Sequence, residues 1–393
     1  MRVAILNYRD DAASGGSLRV AETIANHLDR ERVEAHLVFV YGGPGPVAKK
    51  ALVPCHFIGA KGPKDFRSWL RARKLIHHLQ PDILHFMENV VWLQAALLKT
   101  GYPKILHVHG PIVPSELRYQ NRIIWSITGK IAQRHICITN GMRRILLDLG
   151  WTTPNKSSVV YNSINCRTFR NVMEKEQARS CLGLPQDPFL LGMVCRLVSN
   201  KGGLDFLSLL QRLPSQWHGV LCGDGPHRLE LESLSRNLNL IDRLHFLGSQ
   251  DDVRPVYAAL DAYAFLTHNE PFGLVLAEAM AAEVPVFGLD GEGGYRETEY
   301  PLVTNDNAVL LPRTRPTKCK QSEVSEVLDE LARRISEFGI NPDFYRSMIH
   351  CASAWVNAKF DAPIQAQAMT MAYEQVLSQS KYVKTRFIKE TLN

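Results

Sequence analysis

The sequence predicts an α/β protein built from two doubly wound parallel-sheet domains. Three observations carry this. Short β-branched runs alternate with helical apolar patterns from the first residues onward. The alternation resets after an irregular, polar stretch at 162–188. A length of 393 residues fits two domains at roughly 100–200 residues each.

Taken in order, residues 2–6 read as a buried strand. A loop carrying Ser14, Gly15 and Gly16 leads into a helix at 17–28, where Leu18, Ala21, Ile24, Ala25 and Leu28 share one face. Strands follow at 35–40, 82–86, 105–108, 136–139 and 158–161, with helices at 66–79, 90–98, 120–131 and 141–149 between them. The stretch 162–188 reads as a linker with a short helix at 174–182. A second series then places strands at 189–194, 218–221, 244–247, 262–265 and 285–288, and helices at 203–210, 228–238 and 274–282. Helices at 322–337, 343–358 and 362–377 close the pattern. The expected domains are 1–165 and 166–374, with a C-terminal helix at about 375–393 packing back on the first. Ligands of open α/β sheets bind beyond the carboxyl ends of strands, so the expected site is a cleft between the facing domains.

Composition removes several classes. An apolar fraction of 45% excludes disorder. No stretch approaches the ~20 consecutive apolar residues of a membrane span. The N-terminus has a short apolar run followed by Asp10 and Asp11, and does not read as a signal peptide. Eight cysteines without a CxxC pair read as free thiols of a reducing, cytoplasmic setting. The net charge of +7 is divided unevenly. Residues 1–165 hold 22 Lys and Arg against 11 Asp and Glu, whereas the rest holds 24 against 28. Such a split suits two domains with different partners. No nucleic-acid-binding module is recognisable, so nucleic acid is not expected as a partner.

The richest segment runs from His268 through Glu270, Pro271, Phe272, Gly273 and Leu274 to Glu278. It follows an apolar strand and opens a helix. The helix start aims the amides of Gly273, Leu274 and Val275 at whatever lies in front, which suits a phosphate. Glu270 and Glu278 flank that point. Two carboxylates repel a phosphate but accept hydrogen bonds from vicinal hydroxyls. The layout is polyol, diphosphate, polyol, which is the shape of a nucleotide sugar. The competing reading is a capped surface helix with incidental glutamates. A second element, Arg196 with Lys201-Gly202-Gly203 directly after a strand, fits a diphosphate clamp. A third, Gly223-Asp224-Gly225-Pro226, is a tight strand-to-helix turn. Neither a GxGxxG fingerprint nor a P-loop occurs.

Together, Arg196 with Lys201-Gly202, Gly223-Asp224-Gly225-Pro226 and Glu270-Pro271-Phe272-Gly273 with Glu278 resemble the successive signatures of retaining glycosyltransferase family 4. The resemblance covers most of the chain, including the Gly15-Gly16 loop and 160–165. It implies the GT-B fold, two Rossmann-like domains with the donor in their cleft. Arg196 and Lys201 would bind the donor diphosphate and stabilise the leaving group. Glu270 would contact sugar hydroxyls, Pro271 to Leu274 would line the sugar and phosphate, and Glu278 would accept from the ribose. Gly15 and Gly16 would approach from the other domain, His109 would sit near the transferred sugar, and Phe246 and Leu247 would contact the base. The sequence departs from the family at Glu283-Val284 and at Tyr295-Arg296-Glu297. Arg296 and Glu297 read as lying at the surface or behind the site.

The implied activity is transfer of a hexose from a nucleoside diphosphate sugar to a hydroxyl of a saccharide or lipid-linked acceptor. UDP-glucose or another UDP-hexose is the expected donor, with GDP-mannose next. No D-x-D motif is present, so neither a metal nor any other cofactor is expected. His107 and His109 alternate on one strand without a third metal ligand nearby. His85 and His107 read as satisfied structural histidines. No motif residue supplies a nucleophilic carboxylate, which favours a front-face route over double displacement. Residues 61–78 mix Lys61, Lys64, Arg67, Arg71, Arg73 and Lys74 with Phe66, Trp69, Leu70 and Ile76. Such a segment suits an anionic membrane surface, and so a peripheral location on the inner membrane face. Its rival is a helix whose apolar stripe packs on its own sheet. For the whole chain, the alternatives are a non-catalytic sugar-nucleotide sensor or scaffold, and a GT-B phosphorylase or epimerase.

Overall fold

The apolar run after Met1 forms β1 (Arg2–Arg9), whose central residues are wholly buried. The computed structural model describes residues 1–11, 15–62, 64–110, 119–170, 172–293, 301–313 and 321–380. After β1 come α1 (Gly16–His27), β2 (Glu34–Tyr41), α2 (Pro46–Lys50), β3 (Cys55–Ala60), α3 (Phe66–Leu79), β4 (Ile83–Phe86) and α4 (Val91–Ala96). Then follow β5 (Lys104–Val108), α5 (Tyr119–Ile131), β6 (Arg134–Cys137), α6 (Asn140–Asp148) and β7 (Ser157–Val159). The strands form one parallel sheet in the order β3-β2-β1-β4-β5-β6-β7. Right-handed crossovers place α1 and α2 on one face, and the reversal after β3 sends α3 and α4 to the other. Polar residues set the element ends. Asp10 accepts from the amides of Gly45, Val47 and Ala48 and so ties the end of β1 to the start of α2. Asp65 caps α3 by accepting from Ser68 N at 3.3 Å.

The second unit comprises residues 165–361. It runs α7 (Lys175–Leu182), β8 (Phe189–Val194), α8 (Gly203–Arg212), β9 (Trp217–Cys222), α9 (Arg228–Asn237) and β10 (Leu244–Gly248). Next come α10 (Arg254–Ala259), β11 (Ala262–Phe265), β12 (Asn269–Glu270), α11 (Leu274–Ala281), β13 (Val286–Asp290), β14 (Glu292–Gly293) and β15 (Val309–Pro312). The helices α12 (Gln321–Ile340) and α13 (Arg346–Lys359) end the unit. Its parallel sheet is ordered β10-β9-β8-β11-β13-β15, and β12 pairs separately with β14. The core contains Trp217, Phe206, Phe287 and, from α8, Leu207, Leu209 and Leu210. β8 and β9 are apolar along their length, as expected for strands covered on both faces.

Two expectations need correction. The chain returns to the first unit at residue 362, not near 375, as α14 (Ala362–Gln379). Its Ala366, Met369, Ala372, Tyr373 and Val376 are buried, and it packs on α1. That apolar face spans the whole helix, so the whole helix belongs there; 381–393 lie outside the described residues. The strands β3 and β15 were also absent from the sequence reading. Both are sheet edges with half-exposed residues, and they owe their extended form to one neighbour's hydrogen bonds.

Among the described residues no helix is long and apolar enough to cross a membrane. The described cysteines are free thiols.

Candidate functional site

In the C-terminal unit, four strands deliver their carboxyl ends side by side. After β8 the chain passes Arg196 and makes a single turn at Ser199–Lys201 before Gly202 opens α8. Gly202 has φ 82°, and a Cβ there would lie 2.1 Å from the carbonyl oxygen of Leu266. Gly223 has φ 131°, and its Cβ would lie 1.9 Å from the Cys195 carbonyl oxygen. Only glycine allows these approaches. Backbone bonds then join the loops: Cys195 N to Cys222 O at 3.0 Å, Leu197 N to Asp224 O at 2.9 Å, and His268 N to Asn200 O at 2.9 Å.

This joining brings Lys201 to Glu270. Lys201 Nζ donates to Glu270 Oε2 at 2.6 Å, with side chains only 22% and 14% exposed. Glu270 is held in extended form by the β12–β14 pairing opposite Gly293. The sequence reading assigned the two residues to different parts of a ligand; the structure makes them direct partners. Arg196 is exposed and makes no ion pair among the described residues. Cys195 stands beside this pair and Cys222 near Glu278; burial pushes both thiols up to about 12, so neither is a nucleophile at neutral pH.

Gly273 N-caps α11 with φ 93° and no side-chain cap; Leu276 N closes on the Gly273 carbonyl at 2.9 Å, and the Leu274 and Val275 amides are left without an intrahelical acceptor. Phe272 is buried and packs edge-on against Phe360, with ring centroids 5.5 Å apart. Its ring is therefore core, which leaves only its backbone at the start of α11. Glu278, one turn into α11, accepts from the Tyr257 hydroxyl at 2.8 Å. Tyr257 is fully buried on α10; burial first, and then the Glu278 charge, raise its pKa well above the usual range. The sequence reading missed Tyr257, because it looks like any other core aromatic of an apolar helix. In β10 the pairing with β9 shifts register between Phe246 and Gly248, which leaves Leu247 out of the ladder. The Leu247 carbonyl accepts from Gln250 at 2.8 Å, and the Arg228 guanidinium lies 6.0 Å from the Phe246 ring centroid.

A second cluster also escaped the sequence reading. Arg313 Nη1 donates to Asp205 Oδ2 at 2.7 Å, and His268 Nε2 lies 3.3 Å from the same oxygen. Burial opposes charge on Asp205, but hydrogen bonds from His268 and Arg313 hold its carboxyl below the usual range. Arg313 also donates to the Leu266 carbonyl at 2.5 Å, which braces the approach to Glu270. Arg296 and Glu297 lie outside the described residues.

In the N-terminal unit Gly15, with φ 68°, caps α1 beyond β1 without a side chain, and Gly16 is exposed beside it. Ser17 Oγ donates to Glu88 Oε1 at 2.8 Å, and burial pushes the Glu88 carboxyl up. His109 follows β5, and neither of its buried ring nitrogens has a partner among the described residues. Burial pulls its pKa down to about 3. A neutral imidazole offers one N–H and one lone pair, which suits a hydroxyl group and not a phosphate. His85 is satisfied, as expected, whereas His107 keeps Nε2 without a partner among the described residues. No cluster of three His, Cys, Asp or Glu suited to a metal occurs among the described residues.

Known proteins agree with this architecture. A model described as Glycosyltransferase Family 4 matches residues 14–168, and one described as Glycosyl transferases group 1 matches 174–338. The lipopolysaccharide core biosynthesis glycosyltransferase LpsE of Rhizobium meliloti is 33% identical over 158 residues, 40% of this chain and 44% of that protein. The same organism's lipopolysaccharide core biosynthesis mannosyltransferase LpsB is 28% identical over 270 residues, 63% of this chain and 74% of its own. The chain thus spans less than half the length of the first of these relatives. A crystal structure of Anabaena HepE in complex with UDP-glucose has a TM-score of 0.79 at 20% identity, over 95% of this chain and 100% of that one. The fold is that of GT-B glycosyltransferases, two Rossmann-like parallel-sheet domains. The chain belongs to the family-4 type of these enzymes.

Proposed function

We propose that the protein is a retaining glycosyltransferase of lipopolysaccharide or polysaccharide assembly. It moves a hexose from a nucleoside diphosphate sugar to a hydroxyl of a saccharide or lipid-linked acceptor. The observation that carries this reading is the Lys201–Glu270 pair beside the uncapped start of α11. Without ligand the two side chains neutralise each other. A diphosphate draws Lys201, and the sugar diol takes Glu270 in its place. Arg196 and the α11 amides share the phosphate charge, and Glu278, steered by Tyr257, accepts from the ribose. Gly223, Phe246 and Leu247 shape the base and ribose end, with Pro271 to Leu274 along the sugar. In the N-terminal unit Gly15 and Gly16 face phosphate or acceptor, and neutral His109 binds a hydroxyl of the transferred sugar.

The leaving phosphate takes the acceptor proton, and Arg196 and Lys201 hold the developing charge with no metal or other cofactor. Retention follows from the family resemblance, and the front-face route from the lack of a motif carboxylate to act as nucleophile. The UDP-glucose complex of HepE supports a UDP-hexose donor, and the mannosyltransferase LpsB supports GDP-mannose as the second candidate. Thermal-shift titration with UDP, GDP, ADP and their sugars decides between them. A ligand at 100 times its Kd adds about 2.7 kcal/mol. NMR of the product's anomeric configuration tests retention, and turnover in excess EDTA tests the metal-free route. Slow donor hydrolysis without any glycoside product would point instead to a sensor or scaffold.

The acceptor side supports an anionic lipid surface as partner. Phe66 and Leu70 on α3 are each 70% exposed, among the exposed cations Lys61, Lys64, Arg67, Arg73 and Lys74. Other members of the segment turn inward. Trp69 is half-buried and stacks on Trp92 and Ile76 is buried, whereas Arg71 stays exposed while it donates to the Ile58 and Gly59 carbonyls. The helix thus has a packed face and a separate cationic, apolar outer face. Co-sedimentation with phosphatidylglycerol vesicles tests the outer face, and equal recovery with neutral vesicles overturns it.

A further inference from the structure

Two strands and the C-terminal helix of the N-terminal unit contribute an unbroken row of rings. The Tyr373 hydroxyl of α14 lies 2.8 Å from His85 Nδ1 on β4. His85 Nε2 lies 3.2 Å from His107 Nδ1 on β5. The His107 ring then packs on His109, with centroids 4.0 Å apart and planes at 37°. Tyr373, His85 and His107 are at most 1% exposed.

Two proton orders are open to this row, and each leaves one buried donor without an acceptor among the described residues. His85 Nδ1 is the hydrogen-bond partner of the Tyr373 hydroxyl among the described residues. In the first order the hydroxyl donates to Nδ1, which spares the core a buried O–H without an acceptor. His85 must then carry its proton on Nε2 and donate it to His107 Nδ1. His107 in turn carries its own proton on Nε2. The reverse order leaves the Tyr373 proton in the core without an acceptor, whereas the first leaves the His107 Nε2 proton without one among the described residues and makes Tyr373 the head of the row. Burial lowers the pKa of His85 to about 3 and that of His107 far below its usual value, which agrees with neutral rings throughout.

We propose that Tyr373 and His85 are positioning residues for glycosyl transfer: they fix the tautomer and plane of His107, and His107 sets the ring of His109. This rests on the reading of His109 as the group that meets the transferred sugar. It also gives α14 a task beyond packing, because the segment that re-enters this unit supplies the first donor of the row. His109 needs one nitrogen protonated and the other free to engage a hydroxyl on both counts. A floor of fixed ring plane keeps it aimed.

Histidine ¹⁵N spectra of the full chain test the row directly. The expected result is protonation on Nε2 in both His85 and His107; protonation of His107 on Nδ1 overturns the proposal. Tyr373→Phe removes one oxygen and little volume. It should lower kcat about 10–100-fold, the scale of a misplaced reacting group, with donor KM within about twofold. It should also shift the His109 ring signals. Unchanged kcat with unchanged His109 signals overturns the proposal. Should Tyr373→Phe fold poorly, His85→Gln is held to the same two readouts. His109→Ala with wild-type turnover removes the sugar-contact reading on its own, and the wild-type ¹⁵N spectra still judge the row.

Discussion

The two units share a parallel-sheet plan but prepare opposite kinds of site. In the C-terminal unit the polar groups come as partnered charges and hydrogen-bonded carboxylates: Lys201 with Glu270, Glu278 with Tyr257, Asp205 with Arg313 and His268. In the N-terminal unit the strand ends carry neutral rings, and the nitrogens of His109 stay unmatched among the described residues. The charge balance runs the other way, since the N-terminal half is the basic one. Bulk charge and local charge are therefore separate devices. On the proposed function, a diphosphate would be held by two cations and a helix end in the mildly acidic half. The basic half is left for a surface, where long-range attraction counts.

The contrast can be broken at several points, and the largest effect belongs to the charged side. Lys201→Ala should lower kcat by about 10²–10³, equal to about 2.7–4 kcal/mol of transition-state stabilisation, in steady-state assays with saturating donor. A variant with wild-type turnover would remove Lys201 from the mechanism. Tyr257→Phe should come next. It removes a hydrogen bond to a charged group, worth about 1.5–3 kcal/mol, and should weaken nucleotide binding about tenfold or more by calorimetry. Equal affinity would make Tyr257 a core residue only.

The neutral side makes a different demand, on pH. Folded His85 is held neutral with its pKa at about 3, against the ordinary value near 6.5. Between those values the unfolded chain binds a proton that the folded one refuses. Its contribution is therefore present above about pH 6.5 and is lost as pH falls toward 3. Urea midpoints at a series of pH values should fall in that window, and less steeply in His85→Phe. An identical slope would mean that other groups set the acid limit. The smallest effect on stability should come from Phe66→Ser with Leu70→Ser, within about 0.5 kcal/mol for each exposed position. The same pair should lose vesicle binding while keeping turnover on a water-soluble acceptor.

Legibility differed along the chain for physical reasons. Strands such as β8 and β11 are covered on both faces, so their apolar runs announce them. Edge strands β3 and β15 have a neighbour on one side only; β3 mixes Cys55 and His56 into its run, and the apolar run of β15 is only three residues long before Pro312. The motif residues around Arg196, Lys201, Glu270 and Glu278 were readable because strand ends, glycines and a helix start constrain their spacing. Tyr257, Arg313 and Tyr373 were not, since a core tyrosine or a lone arginine looks the same whether or not a site lies beside it.

The amino-acid order by itself determined the twin α/β plan, the glycine positions where the backbone must pass close, and the chemistry gathered at the strand ends. Periodicity and spacing are local properties, and local properties are written along the chain. The tertiary structure alone decided that Lys201 and Glu270 neutralise each other, 69 residues apart. It alone decided that a tyrosine from the returning helix meets His85, 288 residues away. Such pairings depend on which loops the folded sheet brings within 3 Å, and no interval in the sequence encodes that.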